Sequence, residues 1–190
     1  SVSYFLPQIV HFVLKTYNYL KSYEFYMNQQ VLFGLGKAKY NLGDYEGATK
    51  EFNRAINLGG NNEIKKDMYL WNAWALKKKK RFNEAIGEIS KAINLNPKWA
   101  SLYYRRALIY NELMDWDNAM ADANKAIELD PKFDGAYGVR ALTRNNLKDY
   151  SGAIADCDKA LEINPEYGDA YSYRGLAKIK IGEKESGCND

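Results

Sequence analysis

A short unit with small residues at fixed positions recurs four times along this chain of 190 residues. One set of these small residues is evenly spaced after its first interval, which is slightly longer, and comprises Ala48, Ala85, Ala119 and Ala153. A second set of alanines repeats the same intervals seven residues later. A period of about 34 residues is typical of stacked helix pairs, because one pair cannot bury its apolar face without a neighbour. We therefore expect an elongated stack that functions through a surface rather than a pocket.

Composition favours a folded protein whose partners are other proteins. Apolar residues make up 46% of the chain, and the formal net charge of +3 is too small to indicate nucleic acid or an anionic membrane. Cys157 and Cys188 form no disulfide framework, metal spacing or redox pair, so we interpret both as reduced and incidental. The single histidine, His11, leaves little for histidine-based catalysis and is expected to be packed. We predict no enzyme activity, no cofactor and no metal.

The start of the chain is apolar, yet it matches neither a membrane helix nor a secretion signal. Its first 14 residues contain no Lys, Arg, Asp or Glu. They fall short of the roughly 20 apolar residues that cross a bilayer, and they lack the basic start and cleavage site of a signal peptide. We expect no membrane association and a cytoplasmic protein.

The repeats align as four full units and a partial fifth, with boundaries at 29–62, 66–99, 100–133, 134–167 and 168–190. Each unit is predicted to contain an aromatic-rich helix, a turn such as Leu42-Gly43-Asp44-Tyr45, and a second helix. Proline cannot continue a helix interior, so Pro97, Pro131 and Pro165 should each mark the passage to the next unit.

With these positions aligned, the chain resembles the tetratricopeptide repeat family over residues 29 to about 182. The first aromatic position holds Tyr69, Tyr103, Tyr137 and Tyr171. The aromatic position before the second helix holds Tyr45, Phe82, Trp116 and Tyr150. The small position holds Gly36, Ala73, Ala107, Ala141 and Gly175. The resemblance implies an all-α fold, a right-handed α-solenoid of antiparallel helix hairpins in which Gly36 approaches Ala48.

Charged residues also recur in register, at Arg106, Arg140 and Arg174 in the first helix and at Asp122 and Asp156 in the second. Three aligned arginines are compatible with phosphate binding. We favour a salt bridge between the two helices of each hairpin, because a close arginine–carboxylate pair fixes helix register.

The family resemblance also implies a concave wall, formed by the first helix of every unit, that binds an extended or helical peptide. The matching positions are Phe33, Lys37, Tyr40, Asn41, Leu70, Trp71, Trp74, Lys77, Tyr104, Arg105, Leu108, Asn111, Val139, Leu142, Asn145, Asn146 and Tyr173. Exposed aromatics at Phe33, Trp71, Trp74 and Tyr104 would be costly in water, and such residues dominate interface energies. The three asparagines are candidates to pair with ligand backbone amides.

One known binding mode of the family does not fit. Many members hold the C-terminal carboxylate of heat-shock chaperones with a clamp of lysine, asparagine and arginine. At the matching positions, Phe33, Lys37, Trp71, Ser101 and Arg105, only Arg105 agrees, and no shifted frame restores the clamp. We reject that role.

The two ends leave alternatives open. Residues at helical spacing, most of them apolar, predict a helical segment within residues 1–28. They are Phe5, Ile9, Phe12, Val13, Thr16 and Leu20. This segment is interpreted as a degenerate hairpin, a helical cap, or a segment that docks in its own groove or another copy's. Residues 183–190 lack the repeat alanine, so Tyr171 to Ile181 is either a terminal cap or part of a longer array. Rival functions are self-assembly, including a homodimer through the terminal segments, and RNA binding.

Overall fold

A computed structural model of the chain describes residues 2–59 and 61–190, with the side chains of residues 2–10 and of residue 189 outside that description. The described residues form helices and no strand: α1 (Val2–Asn41), α2 (Tyr45–Asn57), α3 (Asn62–Lys78), α4 (Phe82–Leu95), α5 (Ala100–Glu112), α6 (Trp116–Leu129), α7 (Asp134–Asn146), α8 (Tyr150–Ile163), α9 (Gly168–Lys180) and α10 (Lys184–Asn189). Helices α1 to α3 belong to one compact unit, Ser1–Lys79, and helices α4 to α10 to a second, Lys80–Asp190. These are called unit 1 and unit 2.

The turn after each first helix contains one residue with positive φ, at Gly43, Lys80, Met114, Lys148 or Gly182. The left-handed region favours glycine, because other residues place Cβ close to the backbone. An aspartate follows in three of these turns and begins the second helix. The carboxylate of Asp44 accepts from the backbone N–H of Gly47 at 2.8 Å, and Asp149 accepts from Gly152 at 3.0 Å.

Aromatic packing around one glycine forms the core of unit 1. Phe33 on α1, Phe52 on α2 and Met68 on α3 are buried together, with Ala48 in the same cluster. A Cβ added at Gly36 would lie 2.5 Å from the Phe52 ring, so the missing side chain is what admits that ring. The three atoms nearest to that Cβ all belong to Phe52, and the approach of Gly36 to Ala48 stays a prediction.

In unit 2 the repeated tyrosines tie each first helix to the loop before it. The hydroxyls of Tyr103 and Tyr171 each donate to a proline carbonyl six residues earlier at 3.1 Å, and Tyr137 does so at 3.3 Å. This bond recurs with the repeat because tyrosine and proline keep the same spacing. The proline position therefore orients the next helix as well as ending the previous one.

The recurrent arginines form the salt bridges predicted from their register. Arg106 donates through Nε and Nη2 to both oxygens of Asp122 at 2.7 and 2.8 Å, and Arg140 makes the same bidentate pair with Asp156 at 2.9 and 2.6 Å. The third nitrogen reaches back to the preceding second helix, from Arg106 to Ser90 at 2.8 Å and from Arg140 to Asn124 at 2.9 Å. One guanidinium thus connects three helices.

The chain ends differ from two of the expectations. Helix α1 is unbroken from Val2 to Asn41, so residues 2–28 continue the first helix of unit 1 and form no hairpin of their own. His11 is exposed, so the expectation of a packed histidine was wrong. The side chains of Phe5 and Ile9 lie outside the described residues.

At the other end, α10 begins a second helix for the fifth unit. Gly187 stands one repeat period after Ala153, and Asp190 stands one period after Asp156. Gly187 is buried, and Arg174 donates from Nε to Asp190 at 2.9 Å. A glycine therefore replaces the alanine whose absence had suggested that the repeat stops.

Candidate functional site

Unit 1 brings four of the predicted groove residues together on helices α1 and α3. The ring of Tyr40 meets Trp71 edge-on, with centroids 5.5 Å apart and planes at 86°, and Trp71 lies 6.4 Å from Trp74. Trp74 is 40% exposed, whereas Trp71 is half-buried. The Nζ atom of Lys37 lies 4.7 Å from the centroid of the Phe33 ring. Tyr40, Trp71, Trp74 and Lys37 are called the unit 1 aromatic cluster.

Two other predicted wall residues of unit 1 are buried. Phe33 and Leu70 are each only 9% exposed, and the Phe33 ring lies 5.8 Å from the buried ring of Phe52. The prediction that Phe33 is an exposed groove aromatic was therefore wrong. It faces the second helix, and its ring offers an electron-rich face to the Lys37 ammonium.

Unit 1 as a whole carries an excess of positive charge. Residues 1–79 contain eleven Lys and Arg against six Asp and Glu. Lys39 is paired, since its Nζ donates to Glu51 at 2.8 Å, and this bond holds the pKa of the Glu51 carboxyl below its ordinary value. Asn41 is exposed at the end of α1, and Lys77 is half-buried near the end of α3. Burial, with a contribution from Tyr45, raises the pKa of Tyr40, so its hydroxyl stays protonated.

In unit 2 the corresponding surface is partly filled by the protein's own aromatic rings. Tyr104 on α5 meets Phe133 edge-on at 5.1 Å, and the Tyr167 ring lies against Gly138 on α7. A Cβ at Gly138 would approach that ring within 2.5 Å. The sequence signal for this close approach is a glycine at a position where α1, α3 and α5 carry Phe33, Leu70 and Tyr104.

The asparagines of unit 2 bond to the protein itself. Asn111 is buried, and its Nδ2 donates to the Ala107 carbonyl at 3.1 Å and to Thr143 Oγ1 at 2.9 Å. Asn145 is buried too, and its Nδ2 donates to the Tyr173 carbonyl at 2.9 Å. The more exposed Asn146 donates to Asn111 Oδ1 at 3.3 Å. The expectation that the amides are open to a ligand backbone was wrong for Asn111 and Asn145, which are buried and bond to neighbouring first helices, whereas Asn146 is exposed.

The other predicted wall residues of unit 2 differ in accessibility. Val139 is 1% exposed and packs against Ala107 and Ala123, so it belongs to the core. Leu108, Leu142 and Tyr173 are half-buried, and burial raises the pKa of Tyr173 to about 12. Arg105 is half-buried, with its Nε donating to Ser101 Oγ at 3.2 Å, and burial lowers its pKa.

Neither cysteine is in a disulfide. Cys157 is buried, and burial raises its pKa to about 12, which keeps it a thiol rather than a thiolate nucleophile. Within residues 2–59 and 61–190, no group of histidine, cysteine and carboxylate side chains is arranged to hold a metal ion. The same part of the chain has no helix long and apolar enough to span a bilayer.

These features define a helical repeat protein whose candidate sites are open surfaces on first helices. Two family profiles, both described as the tetratricopeptide repeat, match the chain, one over residues 100–133 and the other over residues 29–61 and 135–167. The chain belongs to the tetratricopeptide repeat family, and its fold is an α-solenoid. Such proteins are typically non-enzymatic scaffolds for protein interactions.

Solved structures support the same fold. A tetratricopeptide repeat protein from Parabacteroides merdae superposes with a TM-score of 0.74 at 20% identity, covering 85% of this chain and 63% of that one. MamA from Desulfovibrio magneticus gives 0.72 at 14% identity, with 85% and 90% covered. YrrB, described as a tetratricopeptide protein with an unusual peptide-binding site, gives 0.62 at 16% identity, with 83% and 80% covered. A search of curated protein sequences found no match.

Proposed function

We propose that this protein is an interaction scaffold that binds an extended or helical segment of a partner protein, with the unit 1 aromatic cluster as the main contact. The observation that carries the proposal is Trp74, a tryptophan 40% exposed in a ring contact with Trp71. Tryptophan, tyrosine and arginine supply most binding energy at protein interfaces. A cluster of this kind in water is costly unless a partner covers it.

The cluster has the features of a peptide anchor site. Its rings are held by each other and by the Phe52 core, so they lose little conformational freedom on binding. Lys37, stacked on Phe33, lies beside them and provides a donor for a ligand carboxylate or carbonyl. A peptide-binding site is described for YrrB, which has the same fold.

Unit 2 would contribute fewer ligand contacts. Tyr167 and Phe133 cover part of its first-helix surface, and its asparagine amides bond internally. The exposed Asn146 and the half-buried Arg105, Leu108 and Leu142 form the accessible part. Affinity should be about micromolar, because ordering a flexible peptide offsets much of the contact energy.

The test selects binders from a phage-displayed library of random peptides and measures their affinity by fluorescence polarisation. Trp74→Ala should weaken a selected peptide about 30-fold or more, the range of an interface hot spot. Trp116→Ala, the same substitution on α6 of unit 2, is the matched control and should leave affinity unchanged. Equal affinities for wild type and Trp74→Ala would contradict the unit 1 site, and a selection without binders would contradict peptide binding.

We propose self-association through the terminal segments as a second candidate function. Large apolar side chains are exposed on α9, at Leu176 and Ile179, and in greater number on the N-terminal half of α1. Exposed apolar patches of this kind mark protein contact sites. The mass of the full chain by light scattering, across a concentration series, tests this candidate; a constant monomer mass would refute it.

A further inference from the structure

The N-terminal half of α1 carries large apolar side chains that no other described part of unit 1 covers. Every described side chain from residue 11 to residue 28 is exposed. Tyr19 is 69% exposed and Leu20 60% exposed, values found at chain surfaces rather than in helix cores. The part of α1 that packs on α2 and α3 begins near Gln29, which is fully buried and donates from Nε2 to the Ala55 carbonyl at 3.0 Å.

Seven of the exposed side chains share one side of α1, whereas others, among them Leu14, Tyr17 and Phe25, lie on other sides of the helix. Because an α-helix has 3.6 residues per turn, one side of α1 carries Phe12, Thr16, Tyr19, Leu20, Tyr23, Met27 and Val31. We call these residues the α1 stripe. The buried residues Gln29, Phe33 and Gly36 project from a different side of the same helix, so α2 and α3 cannot reach the stripe.

The stripe has the composition of a buried surface. It contains no charged residue, and its Thr16 hydroxyl Oγ1 donates to the Phe12 carbonyl at 2.9 Å. Burial would therefore leave that hydroxyl with its partner. Of the charged residues in this segment, Lys15 and Lys21 lie off the stripe, and Glu24 lies at its edge, one helical turn after Leu20.

We infer that the α1 stripe binds the same stripe of a second copy of this chain. This inference rests on the self-association proposed above and names its surface. A two-fold pair needs one patch that is complementary to itself, and a charge-free apolar row meets that condition. From Phe12 to Val31 the stripe extends over about 30 Å of helix.

The size of the stripe is sufficient for a stable pair. An aromatic side chain offers about 150–250 Å² on full burial. Six large side chains per copy, about half of each exposed, would together remove on the order of 1,200 Å² from water, the lower bound of specific interfaces. Residues 11–31 contain only two lysines and one glutamate, whereas helices that lie on lipid carry many basic residues on their polar side. A protein surface therefore fits better than a bilayer.

The test compares two matched double variants of the full chain by light scattering across a concentration series. Leu20→Glu with Tyr23→Glu changes the stripe, at residues 60% and 56% exposed. Leu14→Glu with Tyr17→Glu changes the same residue types, at the same spacing and 55% and 58% exposed, off the stripe. Circular dichroism verifies that both variants keep their helix content.

We expect a dimer for the wild type and for the Leu14, Tyr17 variant. The stripe variant should raise the dimer dissociation constant about 100-fold or more, because four apolar contacts leave one interface. Equal masses for the two variants would overturn the inference. If Leu176→Glu with Ile179→Glu on α9 then dissociates the dimer, self-association stands and only the stripe assignment fails. A monomeric wild type overturns both, and its sedimentation with phosphatidylcholine–phosphatidylserine vesicles would make lipid the occupant.

Discussion

Units 1 and 2 hold their helices in register by different chemistry at equivalent positions. In unit 2, arginine on the first helix forms a bidentate pair with aspartate on the second, as in Arg140 with Asp156. In unit 1, the position one repeat period before Arg106 is Asn72, whose Nδ2 donates to Asn53 on α2 at 2.9 Å. The preceding arginine position is Leu35, and it is exposed.

The difference shows that one repeat pattern supports two kinds of core. Unit 1 compensates with packing, since Phe52 occupies the space opened by Gly36, while Glu51 at the aspartate position pairs with Lys39 instead. Unit 2 has smaller core residues and stronger polar ties, including the Asn111 to Thr143 bond. The unit with the apolar core is also the one with the exposed aromatic cluster.

Removal of one carboxylate from unit 2 should produce the largest effect. Asp156 is 3% exposed and accepts from both Arg140 and Arg144. Asp156→Ala should lower the free energy of unfolding by about 3 kcal/mol, because it removes the buried carboxylate that pairs two half-buried guanidinium groups. Urea denaturation followed by circular dichroism measures the change. Asp158→Ala, on the exposed side of the same helix, should cost about 0–1 kcal/mol; equal losses would show that the buried arginine–aspartate pairs do not stabilise unit 2.

Glycine substitutions compare how each unit accommodates a ring. Gly36→Ala should lower the free energy of unfolding by about 1–3 kcal/mol, because the fully buried Phe52 ring cannot move aside. Gly138→Ala should cost less, since the half-buried Tyr167 can turn toward solvent. Gly87→Ala, where an added Cβ meets nothing within 4 Å, should stabilise by about 0.5–1 kcal/mol. The same denaturation assay ranks the three, and a larger loss for Gly138→Ala would reverse the comparison.

The residue with positive φ in the turns differs in kind along the chain. Unit 1 has Gly43 with φ of 83°, whereas unit 2 has Lys80, Met114 and Lys148 with φ of 59°, 58° and 65°, and glycine in its last turn, at Gly182. Gly43→Ala should cost about 1–2 kcal/mol and Lys148→Gly should gain about 0.5–1 kcal/mol, because only glycine avoids the left-handed penalty. Thermal melts of the two variants check the signs. A loss in Lys148→Gly would mean that the lysine makes a compensating contact.

Acid should weaken each unit through one carboxylate. Lys39 lowers the pKa of Glu51 in unit 1, and Arg174 lowers that of Asp190 in unit 2. A carboxyl whose pKa is lower in the folded state than in the unfolded state stabilises the fold fully at a pH above its ordinary pKa, about 4. This stabilisation is lost as the pH falls through the pKa of the folded state. Urea midpoints should therefore decline below about pH 4. Glu51→Gln should show a shallower decline; an unchanged slope would exclude Glu51 as a source.

Much of the fold followed from the spacing of a few residue types. The alanines, prolines and tyrosines predicted the helix pairs of unit 2, and the arginine–aspartate register predicted its salt bridges. The burial of individual wall residues could not be predicted from spacing. Phe33 and Val139 are buried between helices and do not contribute to the exposed wall. The direction in which they point depends on the rotation of each helix against its neighbours.

Two further features were hidden by the same substitution of glycine for a larger residue. Gly138 makes room for Tyr167, and Gly187 replaces alanine in the fifth repeat. Glycine has no side chain that can be matched to a repeat position, so the roles of Gly138 and Gly187 were not recognised in the sequence. The unbroken length of α1 was also missed, since no turn residue was available to place or exclude a hairpin before Gln29.

The arginine that connects three helices also determines how the array responds to mechanical load. Separating two successive second helices of unit 2 requires a guanidinium to release Ser90 or Asn124 while it still holds its own aspartate. In unit 1 the corresponding bond joins two neutral amides. Under tension, we expect the helices of unit 1 to separate at a lower force than those of unit 2, so mechanical resistance should differ between the two units.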